Sequence, residues 1–145
     1  MRALIQRVSH ASVEVDGQVV AKIGHGLLAF VAVQQGDDVA RTDAMAARLL
    51  AYRVFADDRG RMNLDVRQAG GGVLAVSQFT LAADTARGLR PSFSSAAEPE
   101  IARVLFDRLV ERLRKEHAEV GCGVFGADMQ VSLQNDGPVT FLLET

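Results

Sequence analysis

The sequence predicts an α+β fold: a compact single domain over residues 1–145, with a mostly antiparallel, barrel-like sheet and two main helices. Two observations support this prediction. About seven segments have the length and composition of strands, and two have the apolar spacing of helices. The length fits one domain, and no linker, repeat or low-complexity tract divides it. Strands mixed with a few helices in this way favour an α+β arrangement.

The first strands are predicted from a turn dipeptide and an apolar run. Arg2 to Val8 forms an opening strand, and SVEVDGQVVAKI contains Asp16-Gly17, a pair that favours a two-residue type I′ turn between strands. Gly26 to Val33 is apolar throughout and has strand length, which predicts a strand buried on both faces. YRVF, at 52–55, is a short strand candidate, and the loop ADDRGRMN follows it.

One helix is predicted in each half of the chain. Val39 to about Leu50 consists of helix-favouring residues, and Asp37 or Asp38 is placed to cap its N-terminus. Ile101 to His117 is the clearer helix, because apolar residues recur at every fourth position along it. Those residues are Ile101, Leu105, Leu109 and Leu113, and the arginines at 103, 108, 112 and 114 mostly face elsewhere.

Further strands are predicted on either side of the second helix. VLAVSQFTL, at 73–81, indicates a buried strand, and a loop rich in small residues follows from Ala82 to Pro99. The end of the chain predicts two strands, in GVFGADMQVSL (123–133) and PVTFLLET (138–145). Asn135-Asp136-Gly137-Pro138 would form the turn between them.

Composition excludes several classes of protein. The longest apolar stretch is far shorter than the ~20 residues of a membrane-spanning helix. Gln6 and Arg7 interrupt the N-terminus before a signal-peptide core could form. Cys122 is the single cysteine, so a disulfide within the chain and a cysteine-cluster metal site are excluded; we expect a buried structural thiol and a cytoplasmic protein. A net charge of −2 gives no global field for nucleic acid, although a local basic patch remains open.

No standard catalytic motif is present. The sequence contains no G-x-S-x-G elbow, no H-E-x-x-H and no Walker loop, and the glycines at 70–72 lack the Lys-Ser/Thr of a phosphate loop. His10, His25 and His117 are expected to be solvated surface residues. We therefore predict neither a metal nor a cofactor.

Two stretches break the local pattern. Ser77, Gln78 and Thr80 place hydrogen-bonding side chains where a buried strand ends. Either these side chains satisfy the hydrogen-bonding groups where the strand leaves the core, or they belong to a site in which backbone N–H groups stabilise an oxyanion. Gly137-Pro138 precedes an apolar run, although proline cannot donate to a sheet ladder. It is either a plain hairpin turn or a cis wedge with two carbonyls pointing the same way.

A basic patch is the third candidate feature. Arg87 and Arg90 lie in the loop TARGLRPSF, close in sequence to the SQFTL strand. Together with the basic face of the second helix they could contact phosphates, for which arginine is well suited. The alternative is an ordinary solvated surface.

Motifs along nearly the whole chain resemble those of the D-aminoacyl-tRNA deacylases. SQFTL (77–81) and NDGPVT (135–140) are similar to the paired signatures of that family. Other segments match in order and spacing: MRALIQRV, ASVEVDGQVV, RVFADDRGRMNL, RGLRPSF and FGADMQV. The departures are slight: Ala32 stands where glycine is expected, and the tail FLLET varies. Neither touches a candidate site residue.

The resemblance implies an activity and a site. The family hydrolyses the ester between a D-amino acid, or misattached glycine, and the terminal adenosine of tRNA, as a cytoplasmic homodimer without metal. Its active site lies at the subunit interface. A cis Gly-Pro, here Gly137-Pro138, enters the partner's pocket, which is lined by Ser77, Gln78, Phe79 and Thr80 with Phe125 and Met129 nearby. This cross-subunit Gly-cisPro motif would exclude L-amino acids by collision with their side chains.

Two questions, the catalytic chemistry and the function itself, have alternative answers at the level of sequence. We favour hydrolysis by water with backbone N–H groups around Gln78 and Phe79 stabilising the oxyanion, over Thr80 as a covalent nucleophile, because no base is visible beside Thr80. We also weigh two other functions: a dimeric tRNA- or nucleotide-binding module without chemistry, and a general small-molecule esterase. The missing elbow and triad argue against the esterase.

Overall fold

The computed structural model describes residues 1–86 and 88–145. In this part of the chain the strands are β1 Arg2–Val15, β2 Gln18–Ile23, β3 Gly26–Ala32, β4 Phe55–Ala56, β5 Met62–Leu64, β6 Gly72–Ser77, β7 Val120–Cys122 and β8 Gln130–Glu144. The helices are α1 Val39–Ala51, α2 Pro99–Glu116 and a short 3₁₀ helix, Phe79–Ala82. Neither α-helix has the combination of length and hydropathy that crossing a bilayer requires.

Six of the strands form one mixed sheet in which β1 is central. The order is β2-β1-β3-β6-β7, and β8 pairs with β1. β1 is antiparallel to β2, β3 and β8, whereas β3–β6 and β6–β7 are parallel. The sheet is nearly closed and barrel-like, which confirms the predicted α+β class. β4 and β5 form a separate two-stranded sheet.

The core lies on both faces of β3. Leu27, Ala29 and Val31 pack in the cluster that includes the buried residues of α1 and α2, while Leu28 packs in the smaller cluster enclosed by the sheet. Alternate residues of a strand point to opposite faces, so an apolar residue at nearly every position is what two buried faces require. The expected burial of this strand on both faces is confirmed.

The first turn and the first helix are also confirmed. Asp16 and Gly17 have φ angles of 51° and 75°, and β1 and β2 pair antiparallel on either side of them. A type I′ turn needs positive φ at both central residues. Asp38 caps α1 by accepting a hydrogen bond from the Arg41 N–H (2.8 Å). Asp37 instead accepts from the buried α-ammonium of Met1 at 2.6 Å.

Several predicted boundaries are wrong. The opening strand continues to Val15, because its second half gains partners in both β2 and β8. The strand proposed at 52–55 is reduced to Phe55–Ala56, and its partner Met62–Leu64 lies at the end of the predicted loop ADDRGRMN. α2 begins two residues early, at Pro99, whose fixed φ suits the first turn of a helix.

The predicted turn at 135–138 is also wrong. Both halves of β8 pair antiparallel with β1: Thr140–Glu144 opposite Arg2–Gln6, and Gln130–Asn135 opposite Val8–Glu14. Between them Asp136–Val139 face Arg7 alone, so these four residues form a wide bulge, here called the Gly-Pro bulge. Because Pro138 has no N–H for the ladder, the chain leaves the sheet and then returns to the same partner.

Candidate active site

A cavity of about 480 Å³ opens where β6, the start of α2 and the segment before β8 meet. Five of the predicted site residues line it, although they lie far apart in the sequence: Ser77, Gln78, Phe79, Phe125 and Met129. The remaining lining residues are Val76, Ala96, Ala97, Pro99, Ala102, Gly126, Ala127, Asp128 and Val131. Most of this wall is apolar and made of small residues, so it leaves room for a ligand of drug size.

The predicted strand at 73–81 ends at Ser77, and the chain turns into the 3₁₀ helix. The N–H of Gln78 donates to the carbonyl of Val31 at 2.8 Å, which ties this turn to the end of β3. That N–H is therefore occupied, contrary to the expectation that it would bind substrate. The N–H groups of Phe79 and Thr80 begin the 3₁₀ helix and have no acceptor among the described residues. These two neighbouring amides are therefore available to hydrogen-bond a ligand.

Thr80 lies beside the cavity and does not line it. Its side chain is exposed, and its hydroxyl accepts a hydrogen bond from the side-chain amide of Gln78. In the described part of the chain no carboxylate or imidazole hydrogen-bonds to this hydroxyl. An activated hydroxyl nucleophile needs such a base, so the surroundings of Thr80 favour a different role.

Aromatic rings form one wall and the rim of the cavity. The Phe125 ring packs against Phe106 in the core, with centroids 6.0 Å apart, and the Arg103 guanidinium lies 4.8 Å from its centroid. At the rim, the ring centroids of Phe79 and Phe93 lie 5.1 Å apart, although the two residues are 62% and 41% exposed. Exposed aromatic pairs of this kind are typical of binding surfaces.

Gly123 leaves space for the side chain of Met129. A Cβ atom built at Gly123 would lie 2.7 Å from the sulfur of Met129, closer than real contacts allow. Gly123 therefore provides the space in which the Met129 side chain reaches the cavity wall. This contact accounts for a glycine that belongs to no predicted turn or motif.

The Gly-Pro bulge is exposed and does not line the cavity of its own chain. The Gly137-Pro138 peptide bond is cis. Gly137 has φ of +134°, and an added Cβ would meet Val139 Cγ2 at 2.7 Å and Arg7 Nη2 at 2.9 Å, so the position requires glycine. Gly137 and Pro138 are thus separated from the other predicted site residues within one protomer.

Side chains on both sides hold the bulge in place. Arg7 Nε donates to the Asp136 carbonyl at 3.1 Å and pairs with its carboxylate at 3.0 Å, while Arg7 Nη1 donates to the Val54 carbonyl at 2.7 Å. The Asn135 side chain spans the bulge, accepting from the Val139 N–H at 2.9 Å and donating to the Thr140 hydroxyl at 2.8 Å. These contacts give an exposed segment a defined conformation.

The predicted tRNA contacts are only partly placed. Arg90 is exposed in the loop after the 3₁₀ helix, where Asp84 and Ser92 exchange backbone hydrogen bonds, and it does not line the cavity. Arg87 lies outside the described residues.

Among the described residues, the single thiol and the three histidines do not form a second candidate site. Burial raises the pKa of the Cys122 thiol, which is half-buried at the end of β7, so it is a poor nucleophile. His10 and His25 are exposed as expected, but His117 is half-buried with Nε2 2.8 Å from the Gly71 carbonyl, so that expectation is wrong. Within residues 1–86 and 88–145, no cluster of His, Cys, Asp or Glu could hold a metal ion.

Sequence reasoning missed several residues of the cavity wall. Ala96, Ala97, Pro99 and Ala102 line it from the loop before α2 and from its first turn. Small apolar side chains carry no chemical signature, so nothing in their identity distinguishes them from ordinary loop residues. Asp128 is the one charged lining residue among those described. It lies inside the motif FGADMQV, which drew attention only to Phe125 and Met129.

Comparison with known proteins identifies the family of the chain. The family model described as D-Tyr-tRNA(Tyr) deacylase matches residues 4–144. The D-aminoacyl-tRNA deacylase of Stutzerimonas stutzeri (strain A1501) is 59% identical over 145 residues, covering all of both chains. That of Methylococcus capsulatus (strain ATCC 33009 / NCIMB 11132 / Bath) is 60% identical over 143 residues, covering 99% of this chain and 94% of its own.

A solved structure extends the similarity to three dimensions. The structure titled c-Myc DNA Unwinding Element Binding Protein superposes with a TM-score of 0.96 at 37% identity, covering 100% of this chain and 99% of that one. The family match, the two full-length relatives and this superposition all cover the cavity and the Gly-Pro bulge. The chain belongs to the D-aminoacyl-tRNA deacylase family of hydrolases.

Proposed function

We propose that this enzyme hydrolyses the ester between a D-amino acid and the terminal adenosine of tRNA in the cytoplasm, and that it also removes misattached glycine. It would act as a homodimer in which the Gly-Pro bulge of one protomer enters the cavity of the other. One observation carries the proposal. The bulge requires glycine at position 137 and is held by side-chain hydrogen bonds, yet it is exposed and lies outside the cavity of its own protomer. Such bracing is unexpected for a segment without a partner.

Exposed apolar side chains support the dimer. Phe141 and Leu142, which follow the bulge in β8, are 37% and 52% exposed. Large apolar side chains next to a structured protrusion are typical of a surface that another protein covers. A second copy that placed its cavity over the bulge would cover them.

The chirality filter follows from simple geometry. Enantiomers have the same size and polarity, so an apolar pocket alone cannot separate them. Backbone carbonyls of the bulge would accept hydrogen bonds from the substrate's α-ammonium, and the amides at Phe79 and Thr80 would hold the ester carbonyl. With both groups fixed, an L side chain would point into the bulge and collide, whereas glycine has no side chain to exclude.

Hydrolysis would use water and the main chain. The N–H groups of Phe79 and Thr80 would stabilise the tetrahedral oxyanion while water attacks the ester carbon. Removing one such donor from an enzyme typically costs about 10²–10³ in rate. The leaving group is the ribose oxygen of adenosine, whose neighbouring 2′-hydroxyl can help to deliver the attacking water.

Incubation with D-Tyr-tRNA and L-Tyr-tRNA in parallel tests the proposal. We expect release of D-tyrosine and little release of L-tyrosine. A binding module would release neither, and a general esterase would also cleave small aminoacyl esters unrelated to nucleosides. Equal hydrolysis of both tRNAs would contradict the filter, and hydrolysis of neither would contradict the activity.

A further inference from the structure

Arg103 borders the cavity and contacts its aromatic wall. It follows Ala102, a lining residue, in the first turns of α2. Its guanidinium lies over the Phe125 ring at 4.8 Å from the centroid, and its Nη2 donates to the Phe125 carbonyl at 3.4 Å. Stacking on an aromatic face orients the guanidinium plane while leaving its edge free to donate.

Unlike Arg108 and Arg112 on the same helix, Arg103 has no carboxylate partner among the described residues. Arg108 pairs with Asp43 at 2.7 Å, and Arg112 pairs with Glu116 at 2.7 Å. A guanidinium has five N–H donors, and the structure assigns only one contact to those of Arg103. An exposed, oriented and unpaired cation at the edge of a cavity is suited to bind an anion.

The size of the cavity indicates which anion this is. A volume of about 480 Å³ accommodates a ligand of drug size, such as an aminoacyl nucleoside, but not a longer polynucleotide. If the aminoacyl-adenosine lies inside, as the proposed function requires, the phosphodiester that links it to the next nucleotide must lie at the rim. Arg103 is at that rim.

We propose that Arg103 is a positioning residue that binds a phosphate near the 3′ end of the tRNA substrate while its stacked guanidinium holds the Phe125 wall. This inference rests on the proposed function, since it assigns a contact to the same substrate. The phosphate contact anchors the adenosine so that the ester reaches the amides of Phe79 and Thr80. It is a binding contact away from the reacting atoms, so it should act on KM and leave kcat nearly unchanged.

Two variants and two substrates test this role. Arg103→Met keeps an apolar chain over Phe125 but removes the charge, and Arg103→Lys keeps the charge without the planar stack. Arg59→Met, in the exposed turn between β4 and β5, removes the same charge away from the cavity lining and is the matched control. The substrates are D-Tyr-tRNA and 3′-O-D-tyrosyl adenosine, a nucleoside ester without phosphate.

With D-Tyr-tRNA, Arg103→Met should raise KM roughly tenfold, as expected for one lost charge-assisted hydrogen bond, with little change in kcat. The slope of log(kcat/KM) against log salt concentration should become shallower by roughly 0.7 to 1, whereas Arg103→Lys and Arg59→Met keep the wild-type slope. With the nucleoside ester, Arg103→Met should match the wild type, which also shows that its cavity is intact.

Two results would overturn the inference: an unchanged salt slope in Arg103→Met, or an equal loss on the nucleoside ester, which would assign Arg103 to holding Phe125 alone. Failure of the proposed function is distinguishable, because the wild-type enzyme would then leave D-Tyr-tRNA intact before any variant is compared.

Discussion

Thr80 and the amides beside it illustrate how neighbouring atoms of one short segment differ in what they can do. The side chain of Thr80 points to solvent and accepts a hydrogen bond from Gln78, while its backbone N–H begins a helical turn without an acceptor among the described residues. A role carried by the main chain is independent of side-chain identity. The two accounts of the chemistry can therefore be separated by one substitution.

Thr80→Ala should keep most of the deacylase activity. The substitution removes an exposed neutral hydrogen bond, which typically contributes ~1 kcal/mol, so we expect kcat/KM on D-Tyr-tRNA to fall by less than about tenfold. Single-turnover kinetics together with a circular dichroism spectrum measure this. A folded Thr80→Ala protein without activity would instead support Thr80 as the nucleophile.

The elements differ in how far their sequence specified them. Asp16-Gly17 and the apolar run of β3 were predictable, because positive φ and two-sided burial restrict residue type locally. The course of β8 was not, because asparagine, aspartate, glycine and proline favour a turn whether the chain reverses or rejoins its partner. Only the long-range pairing of β8 with β1 decides between these two courses of the chain, and this pairing cannot be read from the local sequence.

The candidate site shows the same division. Residues with distinctive side chains, such as Gln78 and Phe125, could be selected from sequence motifs, and they line one cavity. The alanines of the cavity wall and the hydrogen bond made by the Gln78 N–H could not be predicted from motifs. Both depend on which parts of the chain come together in the folded protein. Arg103 was visible only as one arginine of a basic helix until its stacking on Phe125 was known.

The contact between α1 and α2 should make stability depend on pH. Arg108 donates to both carboxylate oxygens of Asp43, at 2.9 and 2.7 Å, and this hydrogen bonding lowers the pKa of Asp43 below its ordinary value. A lowered folded-state pKa means that the contribution is present above the unfolded-state pKa of about 3.9 and is lost as pH falls through the folded-state value.

Asp43→Asn should therefore be less stable than the wild type at pH 7, and the difference should shrink as the pH falls below the unfolded-state pKa of about 3.9 toward the lower folded-state pKa of Asp43. Urea unfolding at several pH values measures the difference. Asp58→Asn, a carboxylate in the exposed turn between β4 and β5 for which no ion pair is found among the described residues, is the control. A constant difference from pH 7 to pH 3 would show that the ion pair is not its source.

At the scale of the whole molecule, the Gly-Pro bulge is not part of the cavity of its own protomer. The cavity lies between β6, α2 and the start of β8, and the Gly-Pro bulge lies outside it. A symmetric dimer with a self-complementary interface would create two equivalent sites, each combining the cavity of one protomer with the bulge of the other. The dimer would then be the smallest unit with both the catalytic amides and the chirality filter.

Mixing two defective variants tests this arrangement. In Ala96→Trp an indole at a half-buried lining position fills the cavity, and in Pro138→Trp a large side chain at an exposed position prevents the bulge from entering its partner. Neither variant alone should hydrolyse D-Tyr-tRNA selectively. After unfolding and refolding together in equal amounts, half of the dimers should be mixed and each should hold one intact site, which restores selective hydrolysis to roughly a quarter of the wild-type level. If cavity and bulge acted within the same protomer, every site would contain one defect and the mixture would remain inactive.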